Sequence, residues 1–563
     1  MIIGENVVFP SGGVIISPGN ETDGERIMTC GKAIILAIAL LLVPGPFFTY
    51  SLHAEDGIDP KRVDAAVKKG CEFLKGLQKP DGTWPLELQR EKYWVFGTTA
   101  LCMLTLLKGG EPKDSPAVKN ALNYLKNGKY MTIYEASVLI MALAALVDEA
   151  EEAPAEEAPK PDDKPDLQTA PMEDQATVSK KRFNKAPPWL KDMIKAAFDF
   201  IVAKKTALAC WRYPMADPMG QNDFSNTQYA MMGIITAGRF GLKAPDKVII
   251  EVAEYLMAAQ EQTGPEIDSF PVPAADLPLK GMKDMEKEWM KNFNKLIADE
   301  KKKAREAGEE FKGLDMSTAV ERENPYDKFG KELPKKFNAR GWAYIPPSAP
   351  SEAQGQNFSW AKENTGSMTC SGTLSLVICK ANLEDNPWYK KNGDKLVKSI
   401  RDGCAWIVKS WKTDMNPGAT KEDTWRYYYF YALERAGVIA LVHKFGPHDW
   451  HTEVGNVILG EQGADGSWKG VKGAIPDNLP FEHGPIWETC FAILFLKKAT
   501  TPIVSEETII YTGEGLIKGG WTDKKEKPEP PKEDKPAPAP EEKKPDDNEK
   551  KPPDGGDSDN SGE

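Results

Sequence analysis

Along this chain, helical stretches with one wet face alternate six times with helical stretches that are apolar nearly all round. The first kind occupies 60–78, 115–128, 190–205, 246–262, 393–411 and 449–462. In the first of these Val63, Ala66, Val67, Gly70, Phe73, Leu74 and Leu77 recur three and four residues apart, while lysines and acids fill the other face. That spacing is the signature of a helix lying on a core. The second kind occupies 95–107, 134–147, 225–240, 367–381, 425–440 and 487–499. A helix apolar on every side must be covered on every side. Strict outer–inner alternation is an internal repeat. An open stack of hairpins needs polar end caps, and neither the first nor the last inner helix is polar. The pattern therefore predicts an all-α fold, a double ring of six helical hairpins, or (α/α)6 toroid, over 55–521.

Segments of different composition interrupt or flank this rhythm. Residues 148–188 are rich in Pro, Glu and Ala, and 148–175 carries eleven acids against Lys160 and Lys164. The tail 522–563 carries fourteen acids, nine lysines and nine prolines, with no aromatic after Trp521. Both have too little to bury and are expected to be disordered. Their charge exceeds the whole chain's net of −12, so the helical body is nearly neutral. A nucleic-acid partner, which needs a basic face, is not expected. Residues 263–340 interrupt the fourth hairpin and contain a charged helix at about 280–312, with an apolar stripe of Met282, Met285, Trp289, Phe293 and Leu296. The stripe is expected to lie on the body, the alternative being a docking helix for a protein partner.

The eight cysteines are single and widely spaced, so neither a zinc knuckle nor a disulfide framework is indicated. Near the start, the apolar run 33–43 follows Lys32 and precedes Leu52-His53-Ala54. This reads as a signal peptide within an upstream segment 1–54, cleaved after Ala54, and predicts export to the periplasm or the medium with no membrane span left in the mature chain. Residues 1–27 carry acids that suit an n-region poorly, so a start at Met28 fits the address better. The alternative is an N-terminal anchor, since 33–50 is just long enough to span.

Two loops share a motif. Gln78-Lys79-Pro80-Asp81-Gly82-Thr83-Trp84 follows the first outer helix, and Gln462-Gly463-Ala464-Asp465-Gly466-Ser467-Trp468 follows the sixth. Degenerate relatives are Cys210-Trp211-Arg212-Tyr213 and Gly341-Trp342-Ala343-Tyr344. A Gln at a helix end can bond turn carbonyls, Gly permits a positive φ, and Trp covers a neighbouring hairpin. On these residues the chain resembles the QW-repeat family of terpenoid cyclases and protein prenyltransferases over roughly 58–500. The resemblance implies the same toroid and a structural role for Gln78, Gly82, Trp84, Gln462, Gly466 and Trp468.

The chemistry of that family does not carry over residue by residue. There is no D-x-D-D, the acid that starts cyclisation in squalene–hopene-type enzymes. Asp162-Asp163-Lys164-Pro165-Asp166 spells the diphosphate–magnesium motif but falls in the acidic excursion, where nothing holds three carboxylates round a metal. The prenyltransferase zinc motif D-x-C is spelled by Asp402-Gly403-Cys404 inside an outer helix, whereas Asp423-Thr424-Trp425, at the equivalent place, has Trp for the thiolate. Neither a metal nor another cofactor is therefore expected.

What remains is a cavity at the starts of the inner helices. Trp94, Tyr134, Glu135, Asp223, Gln228, Tyr229, Arg426, Tyr427, Tyr428, Tyr431, His483 and Trp487 are its expected lining. An aromatic wall with acids at its rim suits an apolar or cationic ligand. The leading expectation is a binding protein for a hydrophobic molecule or a protein partner. The alternative is an enzyme on glycans or isoprenoids, with Asp423 and Glu488 as its acid–base pair. The bland reading of Glu135, Asp223, Asp423 and Glu488 is that they cap helix N-termini.

Overall fold

The computed structural model describes residues 58–85, 94–148, 186–213, 223–285, 299, 302–308, 333–345, 359–419, 425–470, 485–500, 510–511 and 517–518. The chain divides into two units, 1–54 and 55–563, and every described residue belongs to the second. The leader, the 149–185 part of the acidic excursion and the 522–563 tail lie outside the described residues.

The body is mostly helical. In chain order its helices are α1 (Pro60–Leu77), α2 (Val95–Lys108), α3 (Pro116–Asn127), α4 (Ile133–Asp148), α5 (Pro188–Ala203), α6 (Phe224–Gly238), α7 (Asp246–Ala259), the single turn α8 (Pro273–Asp276), α9 (Gly366–Leu383), α10 (Pro387–Lys409), α11 (Arg426–Ile439), α12 (Trp450–Gly460) and α13 (Pro485–Leu496). All twelve helices of the alternating pattern are present. The largest boundary error is at α10, which starts at Pro387 rather than 393 because Asn386 caps it. The Asn386 side chain accepts from Trp388 N at 2.9 Å and Pro387 supplies a preset φ. Asp59-Pro60 and Ser115-Pro116 start α1 and α3 the same way.

The amphipathic helices α1, α3, α5, α7, α10 and α12 each pack on apolar ones. Among the apolar helices α2 packs on α4, α4 on α6, α6 on α9, α9 on α11, α11 on α13, and α13 on α2. Their side chains are buried nearly throughout: α9 is buried from Gly366 to Lys380 without a break.

The tryptophan loops fasten the hairpins. Trp84 Nε1 donates to the Leu74 carbonyl, Trp211 Nε1 to Ile201 and Trp468 Nε1 to Ile458, each at 2.7 Å and each ten residues back. Gln78 Nε2 donates to Gly82 O within its loop and to Ala117 O of α3, the next amphipathic helix, at 3.1 and 2.9 Å. Gln462 Nε2 bonds Gly466 O and, 396 residues back, Ala66 O of α1 at 2.7 Å. Gly82 and Gly466 both sit at φ +87°, where a Cβ would lie 2.4 and 2.5 Å from the carbonyl oxygens of Asn120 and Lys69. Only glycine fits there. Gly466→Ala is accordingly expected to destabilise the protein by about 1–3 kcal/mol, measured by denaturant unfolding; an unchanged midpoint would refute the close-approach argument.

A fourth such loop is split. Trp342 Nε1 donates to Leu256 O at 2.9 Å, but 86 residues separate them. Its glutamine is Gln260, whose Nε2 bonds Arg340 O and Ser399 O of α10, both at 3.0 Å. The 263–340 insertion is thus spliced between the Gln and the Trp of one motif. Its two ends pair as antiparallel strands β1 (Glu266–Asp268) and β2 (Lys336–Asn338), with Ile267 opposite Phe337. Within it 279–285 and 302–306 are helical, Met282 is buried and Met285 packs on the core. Trp289, Phe293 and Leu296 lie outside the described residues. Two further short strands, β3 (Ile510–Tyr511) and β4 (Ile517–Lys518), pair antiparallel. Among the described residues no helix is long and apolar enough to cross a membrane.

Candidate functional site

Tyrosines from several apolar helices meet at the N-terminal ends of those helices. Tyr134 of α4 and Tyr428 of α11 bring their hydroxyls to 3.4 Å, although α4 and α11 are not neighbours. Tyr428 also donates to Gln228 Oε1 of α6 at 2.9 Å. The Tyr229 ring stands 4.2 Å from that of Tyr134 and stacks on Tyr428 at 6.5 Å. Tyr213 stacks on Tyr134 at 5.8 Å, and Trp94 meets Tyr213 edge-on at 5.6 Å. Phe491 of α13 contacts Tyr428 and Tyr431 at 5.8 and 5.7 Å. Trp487 Nε1 donates to Thr98 Oγ1 of α2 at 2.9 Å.

The cluster has a wet side and a dry floor. Tyr134, Tyr213, Trp425 and Trp487 are half-buried, whereas Tyr229, Tyr428 and Tyr431 are buried. Burial holds the hydroxyls of Tyr134, Tyr213 and Tyr428 above the ordinary tyrosine range, and the nearby charge of Asp223 pushes Tyr134 and Tyr213 in the same direction. They stay neutral, able to donate as well as accept. Trp425, which precedes α11, adopts φ +59° and sets its ring 6.2 Å from Tyr428. A bulky side chain in that region is strained, and such strain gathers at binding sites.

Beneath the tyrosines lies Arg435. Its guanidinium carbon sits 3.7 Å over the Tyr431 ring and 4.3 Å over the Tyr229 ring, and its side chain is fully buried. Neither this arginine nor Tyr213 is among the residues expected at the site. The signal for Tyr213 is the repeated W-x-Y of Trp211-Arg212-Tyr213 and Trp342-Ala343-Tyr344: the Trp serves the loop and the Tyr, two residues on, belongs near the cluster. Tyr344 is buried and, like Tyr213, feels the charge of Asp223. Arg435 shares a helix face with Tyr428 and Tyr431 through the spacing i, i+3, i+7.

Other expected site residues are placed differently. Arg426 and Tyr427 turn away to Glu461, at the end of α12. Arg426 Nη2 donates to Glu461 Oε2, as does Tyr427 Oη at 2.8 Å. Each helical residue rotates the side chain by about 100°, so Tyr427 cannot share the face of Tyr428. Glu135 is a cap: its Oε2 accepts from Met131 N and Thr132 N at 2.7 and 2.9 Å, while Thr132 Oγ1 accepts from Glu135 N at 3.2 Å. This is a reciprocal capping box. Asp223 caps α6 through Asn226 N at 3.0 Å and also accepts from Ser225 Oγ. Glu488 lies in the first turn of α13. Asp423 and His483 lie outside the described residues.

The D-x-C letters sit in the middle of α10, where Asp402 pairs with Arg340 and Lys398 at 2.7 and 2.6 Å and Cys404 is buried. The described cysteines are all free and buried, and Cys102 and Cys490 hold their sulfurs 3.8 Å apart between α2 and α13. Among the described residues no group of three or more His, Cys, Asp or Glu stands together as a metal site.

No protein-family model matches this chain. No curated protein matches it either.

Proposed function

We propose that this is an exported (α/α)6 toroid of the QW-repeat kind that binds an apolar molecule against the tyrosine cluster. The toroid reading is supported by the order of helix neighbours, which runs from α2 through α4, α6, α9, α11 and α13 back to α2. It is supported as well by the Gln462–Ala66 bond, which fastens the last hairpin to the first. Export rests on the leader pattern of 33–54 alone.

The observation that carries the binding reading is the convergence of half-buried aromatic rings over neutral hydroxyls. Tyr134 and Tyr428 come from α4 and α11, opposite members of such a ring, and meet at 3.4 Å. Tyr213 and Trp425 flank them and, like Trp487 at the start of α13, are half-buried. Amphipathic rings of this kind offer apolar area with a few fixed polar groups, the composition of a small-molecule site. Glu135 Oε2 and Asp223 Oδ1 accept from backbone N–H groups at their helix starts, which supports a capping role for these two acids.

Native mass spectrometry of the exported protein is expected to find a stoichiometric small molecule that organic extraction removes. The double variant Tyr134→Ala, Tyr428→Ala is expected to lose it while keeping the helical circular-dichroism spectrum. A wild-type protein that carries no such molecule, and whose tryptophan fluorescence does not respond to added decanol, would sink the reading.

A further inference from the structure

Arg435 is a cation with no counter-charge within salt-bridge distance among the described residues. One per cent of its surface is exposed. Its guanidinium carbon lies over the rings of Tyr229 and Tyr431, but Nε and Nη2 have no hydrogen-bond partner. Those two nitrogens lie on one edge of the guanidinium, and their N–H bonds point the same way. That edge grips a carboxylate through two parallel N–H···O bonds. Tyr229 and Tyr431 also interact with the guanidinium through their hydroxyls, but two buried N–H-bearing atoms left without an acceptor remain unfavourable. Its sequence neighbour Glu434 does not serve it, since both Glu434 oxygens take bonds from Thr500.

A second orphan donor belongs to the same aromatic cluster. Gln228 is completely buried, its Oε1 takes the Tyr428 hydroxyl, and its Nε2 has no partner. Gln228 and Arg435 are linked through stacked rings: Tyr428 bonds Gln228, Tyr229 stacks on Tyr428, and Arg435 lies over Tyr229.

We infer that the ligand of this site is an apolar molecule with a carboxylate head, and that Arg435 is the residue that holds the head through Nε and Nη2. The inference rests on the binding reading above and adds the charge and its anchor. Because one per cent of Arg435 is exposed, surrounding side chains must move to admit a ligand, and association is expected to be slower than for an open pocket.

The test compares sodium decanoate with decanol, and with sodium acetate, by thermal shift and calorimetry at pH 6. Wild type is expected to bind decanoate about 10- to 100-fold more tightly than decanol. In Arg435→Met, which keeps the side-chain volume without the charge, that preference is expected to vanish, with a melting temperature equal to or above wild type because an unpaired buried charge has gone. Arg435→Gln gives the same comparison should the methionine variant not fold. The ratio of the two affinities within one variant is insensitive to general damage to the fold. Equal affinities in wild type, or a preference that survives in the variant, would overturn the carboxylate anchor and leave the apolar-ligand reading standing. Acetate binding as tightly as decanoate would keep the anchor and remove the apolar ligand. Binding of none of the three would overturn the anchor.

Discussion

Replacing Trp468 by Ala is expected to lower the unfolding free energy by about 3–5 kcal/mol, the range for deleting a fully buried large aromatic side chain. Trp468 is completely buried. Its indole donates to Ile458 O at 2.7 Å and its backbone N to Thr489 Oγ1 at 3.0 Å. It also lies so close to α1 that a Cβ on Gly70 would come within 2.8 Å of its ring. The same residue therefore packs the end of the chain's helical body against its beginning. Trp468→Phe keeps most of the apolar area and removes only the donor, so a smaller loss of about 1–3 kcal/mol is expected. Equilibrium denaturation of both variants measures the difference. A loss under about 1 kcal/mol for Trp468→Ala would mean that the two ends of the body are not held together by this loop. Amide exchange locates the damage: α1 and α12 are expected to lose protection, while α7 and α10, served by Trp342, keep theirs.

The second large effect is a pH dependence set by Glu434. This residue is completely buried in α11, accepting from Thr500 N at 3.0 Å and Thr500 Oγ1 at 2.7 Å. Burial raises its carboxyl from the usual 4.5 to about 7, against the opposing pull of Thr500, Arg435 and Lys498. A carboxyl raised in the folded state favours folding while protonated. That stabilisation is complete below the unfolded value of 4.5 and is lost as pH climbs to about 7. Over that window the site is expected to withdraw about 3 kcal/mol. Glu434→Gln keeps an acceptor for Thr500 N and does not ionise. Relative to wild type, the variant should therefore be more stable at pH 8 than it is at pH 5. Unfolding midpoints at the two pH values test this, and a difference between variant and wild type that does not change with pH would refute it.

Much of the fold was readable because its rules are local. Each outer helix carries an apolar stripe with a charged back, and each inner helix is apolar all round, properties that belong to stretches of about a dozen residues. The Gln78 and Gln462 loops close bonds to carbonyls four residues away, so residue type and spacing alone identify them. Gln260 escaped because its partner loop lies beyond an insertion: Gln260 to Arg340 is 80 residues, and no local pattern spans that distance. The strand pair β1–β2 at the base of the insertion has no sequence signal for a related reason. Three-residue strands have no periodicity to read.

The site was legible only as a list of candidates. Trp94, Tyr134, Gln228, Tyr229, Tyr428 and Tyr431 converge, whereas Arg426 and Tyr427, equally plausible from the sequence, turn away, and Tyr213 and Arg435 carry too weak a local signal to be singled out. An inner helix that is buried on every side has no amphipathic stripe to phase its rotation, so the sequence does not say which of Tyr427, Tyr428 and Tyr429 turns inward. By itself, the sequence determined where the helices lie, which of them are enclosed, and which loops fasten them, because burial pattern and turn chemistry act over a few residues. Only the tertiary structure decided that Tyr134 meets Tyr428 across 294 residues of chain and that Arg435 lies beneath them with Nε and Nη2 unpaired. Those contacts depend on the angular setting of helices packed on all sides, which is fixed by the neighbours around each helix and not by its own periodicity.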